Sequence, residues 1–221
     1  KCIAYQTIFA RFFGRTGRHQ SGGAFGFRDQ LQDSLMFLYN DPEFVRRQLL
    51  YFAERQFAEG DVLHWWHFES TGVRTHISDD LLFLPYAALQ YIKTTEDLSI
   101  LEENCRYLQS EAIENGKDLY RNFAFSEKRE AFLMHLVRAI DHASKLGQHG
   151  LPLMKGGDWN DSMDKVGEKG KGESVFLAFF LAQIKREIAP YLKQYHMEEK
   201  AAEYLAESAK IRNKREVYEK N

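Results

Sequence analysis

Only four prolines punctuate 221 residues, so the chain has room for long helices. Apolar residues recur at helical spacing along most of it rather than alternating. Asp41-Pro42-Glu43 is a well-formed helix start: an Asp cap, Pro at the first helical position and an acid in the first turn. Phe44, Val45, Leu49, Phe52, Ala53 and Phe57 follow on one face, and Gly60 closes the pattern. Further helices are expected near Arg28 and over about 80–93, 95–108, 128–146, 173–195 and 197–216. No convincing β-branched run separates them, which argues against a parallel α/β sheet. The fold class expected is all-α, built of helix hairpins.

Three long connections break this helical texture, and each mixes Gly with aromatic, acidic and basic residues. They run from Arg11 to Asp33, from Gly60 to Asp80 and from Gly147 to Gly172. Loops of that composition usually carry function. If helix hairpins stack side by side, loops at alternate ends fall on one face and can converge on a single pocket.

Composition narrows the partners. Thirty Lys+Arg against 32 Asp+Glu leave a net charge of −2, so the basic footprint of a nucleic-acid binder is missing. No apolar run reaches the roughly 20 residues that span a bilayer, and no secretory leader is visible. Two distant cysteines, Cys2 and Cys105, fit a reducing, cytoplasmic setting better than a disulfide scaffold. The chain starts at Lys1 and stops within a charged helical pattern, which suggests a piece of something larger.

Several signatures fail on inspection. Gly22-Gly23-Ala24-Phe25-Gly26 lacks the Lys-Ser/Thr of a phosphate-binding loop and no strand precedes it. His64 and His67 flank Trp65-Trp66 at i, i+3 but no third ligand stands nearby, so no metal is expected. Neither Ser21 nor Ser162 sits in a nucleophile elbow. Ser78-Asp79-Asp80 reads as a helix cap or as part of a polar site.

Asp158-Trp159-Asn160-Asp161 is more telling. It sets two acids and an indole in a Gly-flanked loop, a composition suited to sugar, whose C–H faces pack on Trp and whose hydroxyls seek Asp, Asn and Arg. Glycosidic cleavage needs a protonated carboxylic acid at the leaving oxygen, and either Asp158 or Asp161 suits that role. A solvated capping loop is the plainer reading of the same residues. Arg28-Asp29, with Asp33 and the preceding Phe25 and Phe27, makes a second polar cluster.

Four segments in order, GRTGRHQSGGAFGFRDQLQDSL, GDVLHWWH, RTHISDDLLFLPY and HGLPLMKGGDWNDSMDKVGEKGKGESV, resemble the family of cellobiose, chitobiose and β-1,2-oligoglucan phosphorylases and the phosphorylase-like domain of cyclic β-1,2-glucan synthases, glycoside hydrolase family 94. The resemblance is collinear over nearly all of the chain. It implies an (α/α)6 barrel catalytic domain, of which residues 1–221 form the N-terminal portion. It also implies inverting phosphorolysis of a β-glucoside to α-glucose 1-phosphate, reversible, with phosphate as nucleophile and no further cofactor. By the same resemblance Asp161 is the general acid, Trp159 lines the donor-sugar subsite, Arg28 and Asp29 hold that sugar's hydroxyls, and Arg15 belongs to the same wall.

The chain departs from the cellobiose branch at Ser21-Gly22-Gly23-Ala24, where that branch carries an additional arginine, so a β-1,2- or related β-linked gluco-oligosaccharide is the expected substrate. Thr16, Ser162 and Arg18-His19 also differ from the usual residues, at acceptor or lip positions. Phosphate contacts are expected from outside this segment, and a homodimer only in the longer parent protein. Two alternatives stand beside this reading: an inverting hydrolase with Asp29 or Asp79 as its base, and a non-catalytic sugar-binding module.

Overall fold

The computed structural model describes residues 2–7, 23–67, 69–113 and 117–218. In chain order these form α1 (Cys2–Thr7), β1 (Phe25–Gly26), α2 (Phe27–Ser34), α3 (Pro42–Ala53), β2 (Leu63–Trp66), β3 (Thr71–Arg74), α4 (Phe83–Thr95), β4 (Asn104–Gln109), β5 (Leu119–Asn122), β6 (Ala124–Ala131), α5 (Phe132–Ala143), α6 (Val175–Gln194) and α7 (Glu198–Tyr218). Arg15, Arg18, His19 and Ser21 lie outside the described residues.

The expectation of an all-α fold, and of the all-helical barrel implied with it, is corrected here. Strands β1, β2, β3 and β5 make one antiparallel sheet in that order, and β4 pairs with β6 in a second. The architecture is mixed helix and sheet.

The misreading has local causes. Leu98, Leu101, Cys105 and Leu108 are spaced as on a helix face, yet α4 stops at Glu96 in a left-handed conformation (φ 59°). Asp97 then binds the Ser99 N–H at 3.0 Å, turning the chain through a 3-10 turn at Ser99–Glu102 and out into β4. Pairing with β6, in the register Cys105 opposite Glu130, decides the conformation that periodicity alone left ambiguous. The expected helix at 128–146 accordingly opens in strand, since β6 runs to Ala131 and α5 begins at Phe132. In the Gly60–Asp80 connection, β2 and β3 form a hairpin that demands Gly72, because a Cβ there would run into the Trp65 carbonyl and the Trp66 side chain.

Other expectations stand. The helix beginning at Pro42 is capped by Asp41, whose carboxylate accepts the Phe44 N–H at 3.0 Å, and it buries Val45, Leu49 and Phe52. It ends at Ala53 rather than near Gly60, because Gln56 bridges to Val62 instead. Helices α6 and α7 match the expected pair. The α6 face of Leu177, Leu181, Ile184, Ile188 and Leu192 is buried, as are Ala201 and Tyr204 on α7. Each buried Leu or Ile contributes roughly 1.5–3 kcal/mol.

The core joins sheet to helices through Trp66, which meets Phe52 edge-on at 5.2 Å and donates its Nε1–H to the Tyr51 hydroxyl at 3.2 Å. Trp66 also meets Phe27 of α2 at 6.3 Å and thus fixes the hairpin over both α2 and α3. Among the described residues, no helix is long and apolar enough to cross a membrane.

Candidate active site

The Gly147–Gly172 segment is a compact loop closed at its base. Glu173 accepts the His149 and Leu151 N–H groups at 2.7 and 2.9 Å, and the Met154 N–H donates to the Gly172 carbonyl at 2.8 Å. Burial raises the Glu173 pKa, but those N–H bonds and the nearby His149 outweigh it and leave the carboxyl below its usual range.

Within this frame Asp158 is buried. It accepts the Asn160 N–H at 3.0 Å and the Ser174 hydroxyl at 2.5 Å, while Ser174 itself caps α6 by accepting the Leu177 N–H at 3.0 Å. Both Asp158 oxygens are therefore occupied in shaping the loop. Trp159 projects from it, 54% exposed. Asn160 accepts from the Ser162 N–H at 3.3 Å and hydroxyl at 2.6 Å, and so caps the 3-10 turn that Asp161 opens. Of the two acids left open by composition, Asp158 is committed to structure.

The loop is stitched to the segment after β3. Gly156 N–H donates to the His76 carbonyl at 3.1 Å, Ile77 bridges to Lys155, and the Ser78 N–H and hydroxyl both donate to the Gly157 carbonyl at 2.9 Å. Lys155 adopts a positive φ of 52° at this seam, and burial, then the charge of Lys145, lowers its pKa to about 8. Directly beyond Ser78, Asp79 is fully buried and meets Arg28 Nη1 at 3.5 Å through its Oδ2. Arg28 also reaches Asp29 at 3.5 Å; the Asp29 side chain is 42% exposed. His64 on β2 meets Asp80 at 2.6 Å. The three connections singled out in the sequence therefore converge: Arg28 and Asp29 from the first, His64 and 78–80 from the second, 155–161 from the third.

The electrostatics of this junction are acidic. Burial, and then the charge of Asp80, push the Asp79 pKa up to about 7 against the opposing pull of Arg28. Burial lowers the His64 pKa, yet the hydrogen bond and charge of Asp80 outweigh it and raise it overall. Oδ1 of Asp79 and Oδ1 of Asp80 are buried without a hydrogen-bond partner among the described residues. Asp79 makes no side-chain capping bond to the 3-10 turn at Asp80–Leu82, so this pair is a polar cluster and not a helix cap. Sequence reasoning noticed the pair but missed its link to Arg28, because nothing in a linear pattern signals a contact across 51 positions. It also missed His64 as an acid partner. His64 and His67 lie along a strand and its exit rather than on a helix.

An exposed Trp in an acidic loop stitched to an Arg-Asp pair offers the groups that suit a carbohydrate. The chain belongs to the Glycosyl hydrolase 94 superfamily, whose catalytic-domain family model matches residues 2–220. It is 44% identical over 195 residues to the cyclic β-(1,2)-glucan synthase NdvB of Rhizobium meliloti (strain 1021), covering 86% of this chain and 7% of that protein. It is 29% identical over 186 residues to a solabiose phosphorylase of Paenibacillus borealis, covering 83% of this chain and 22% of the relative. An N,N'-diacetylchitobiose phosphorylase of Vibrio furnissii is 25% identical over 208 residues, 80% of this chain and 22% of its own length. The chain thus spans at most about a fifth of these curated relatives.

Proposed function

We propose that this chain supplies the donor-sugar side and the general acid of an inverting glycoside phosphorylase acting on β-linked gluco-oligosaccharides. The observation that carries the reading is the seam between Ser78 and Gly157, which joins the Arg28-Asp79 pair to the Asp158–Asp161 loop within a family that contains phosphorylases.

The chemistry follows from the nucleophile. An inverting hydrolase needs an acid at the leaving oxygen and a base that activates water on the opposite face. Phosphate is already anionic, so the acid alone suffices. Asp161 protonates the departing glycosidic oxygen as phosphate attacks the anomeric carbon, and the C–O bond breaks with inversion to α-glucose 1-phosphate. Trp159 offers an exposed face to the sugar ring, and Arg28 with Asp29 holds its hydroxyls; Arg15 joins the same wall. Asp158 and Ser174 keep the Asp161 turn in place. A β-1,2 linkage is favoured because identity to the cyclic β-(1,2)-glucan synthase exceeds that to the phosphorylases, 44% against 29% and below. Given the share of each relative that is matched, the chain acts as one part of a longer catalytic domain, and phosphate is bound by residues outside it.

Of the hydrolase alternative's two candidate bases, Asp79 is buried and paired with Arg28, which speaks against its activating water. Asp29 keeps the alternative testable. The whole protein is incubated with sophorose and longer β-1,2-glucans, with and without phosphate, and products are followed by NMR. Phosphate-dependent α-glucose 1-phosphate supports the phosphorylase; free glucose formed without phosphate supports the hydrolase; oligosaccharide binding without turnover supports a binding module.

A further inference from the structure

The seam brings Asp79, a residue with no part in the phosphorolysis described above, to the base of the donor-sugar side. Asp79 sits between the Arg28 guanidinium and the Ser78–Gly157 bonds that anchor the acid's loop. It is fully buried, whereas the Arg28 side chain retains 11% exposure and Asp29 42%. The pair therefore has a floor and a rim, with Asp79 beneath. Its sequence neighbour Asp80 turns to His64 at 2.6 Å on the far strand, so the two carboxylates grip different elements, α2 and β2.

We propose that Asp79 is a positioning residue of the donor-sugar subsite, fixing the Arg28 guanidinium from below and tying its location to the backbone that carries Asp158–Asp161. This rests on the reading that Arg28 holds the donor sugar. An arginine on a rim can sweep several rotamers; a buried carboxylate at its base restricts them and keeps the planar donors oriented for hydroxyls. Because Asp79 is continuous with Ser78, any shift of the acid loop moves the Arg28 anchor with it. The sugar grip and the acid thus stay in register. The role is mechanical and electrostatic, and Asp79 itself touches no reacting atom.

The test uses the whole protein in the synthetic direction with α-glucose 1-phosphate as probe. Asp79→Asn preserves size and removes the charge that holds Arg28. It is expected to raise the KM for α-glucose 1-phosphate about 10- to 100-fold, the cost of losing a hydrogen bond to a charged group. The acid limb of the kcat profile, which belongs to Asp161, stays in place. Arg28→Lys should do the same, and the double variant should be no worse than the worse single, because both changes act through one contact.

A second readout does not depend on turnover: the NMR signal of the Arg28 Nη1 group, which faces Asp79, expected to be resolved in the native protein and broadened in Asp79→Asn. An unchanged signal, or additive effects of the two substitutions on KM, would overturn the positioning role. A broadened Arg28 signal with sugar affinity untouched would instead overturn the placing of the donor sugar on Arg28, and with it the subsite reading on which the proposal rests.

Discussion

Among the described residues, two arginine-aspartate pairs hold a buried aspartate, and they differ in how completely that acid is matched. Arg74 grips Asp61 with two bonds of 2.6 Å, adds Glu59 at 3.2 Å and the Glu111 carbonyl at 2.9 Å, and lies 3.8 Å over the Phe57 ring. Both Asp61 oxygens are satisfied. Arg28 meets Asp79 at 3.5 Å, and the other Asp79 oxygen has no partner among the described residues. The first pair is a fastener for the β2–β3 hairpin. The second leaves its acid only partly matched, and burial with the charge of Asp80 raises its pKa against the pull of Arg28.

The contrast breaks most visibly at the fastener. Arg74→Ala strands the Asp61 carboxylate in the core and should cost about 3–5 kcal/mol of stability, read by urea unfolding, because a buried charge without its partner is expensive. A loss under about 1 kcal/mol would erase the distinction, as it would put Arg74 among ordinary surface residues. Arg28→Ala should behave the other way. Asp79 can take up a proton once its cation is gone, so unfolding changes little while sugar binding weakens by about 1.5–3 kcal/mol, read as KM. Ser174→Ala removes both the α6 cap and one Asp158 bond and should cost about 1 kcal/mol of stability.

A further effect is in the pH dependence. With a folded pKa near 7 against 3.8 for the free group, Asp79 binds a proton in the folded chain that the unfolded chain has released. Its contribution to stability therefore declines as pH rises from about 4 to about 7. His135 works oppositely. Burial lowers its pKa to about 4, so between 6.5 and 4 the unfolded chain takes up a proton the folded one refuses, and stability falls as pH falls. Unfolding midpoints across pH 4–7 should thus tilt further toward acid lability in Asp79→Asn than in the native protein.

The sequence made some of this legible and hid the rest for identifiable reasons. The start of α3 could be read because Asp41, Pro42 and Glu43 act on their immediate neighbours. The pairing of α6 with α7 followed from unbroken periodicity. Strands β4 and β6 were illegible because Leu98, Leu101, Cys105 and Leu108 satisfy a helix template, and only the partner strand overrides it. At the site, the Asp158–Asp161 loop and Arg28-Asp29 stand out by composition, whereas convergence of the three connections is expected only from stacked helix hairpins, and the contacts that join them run through the β2–β3 region instead. What could not be read was the division of labour. Asp158 became a structural acid through Ser174, 16 positions on, and Asp79 met Arg28 across 51. Contacts at such separation leave no periodic trace.

The central claim is that Asp161 delivers the proton to the leaving group, and a substrate whose leaving group needs no proton tests it most directly. Native protein and Asp161→Asn are compared in the presence of phosphate on a β-1,2-glucan and on 2,4-dinitrophenyl β-glucoside. The account expects turnover of the glucan to fall by about 10²- to 10⁴-fold, the usual contribution of a general acid, with the activated glucoside turned over at near the native rate. Equal losses on both substrates, or none on either, would contradict it.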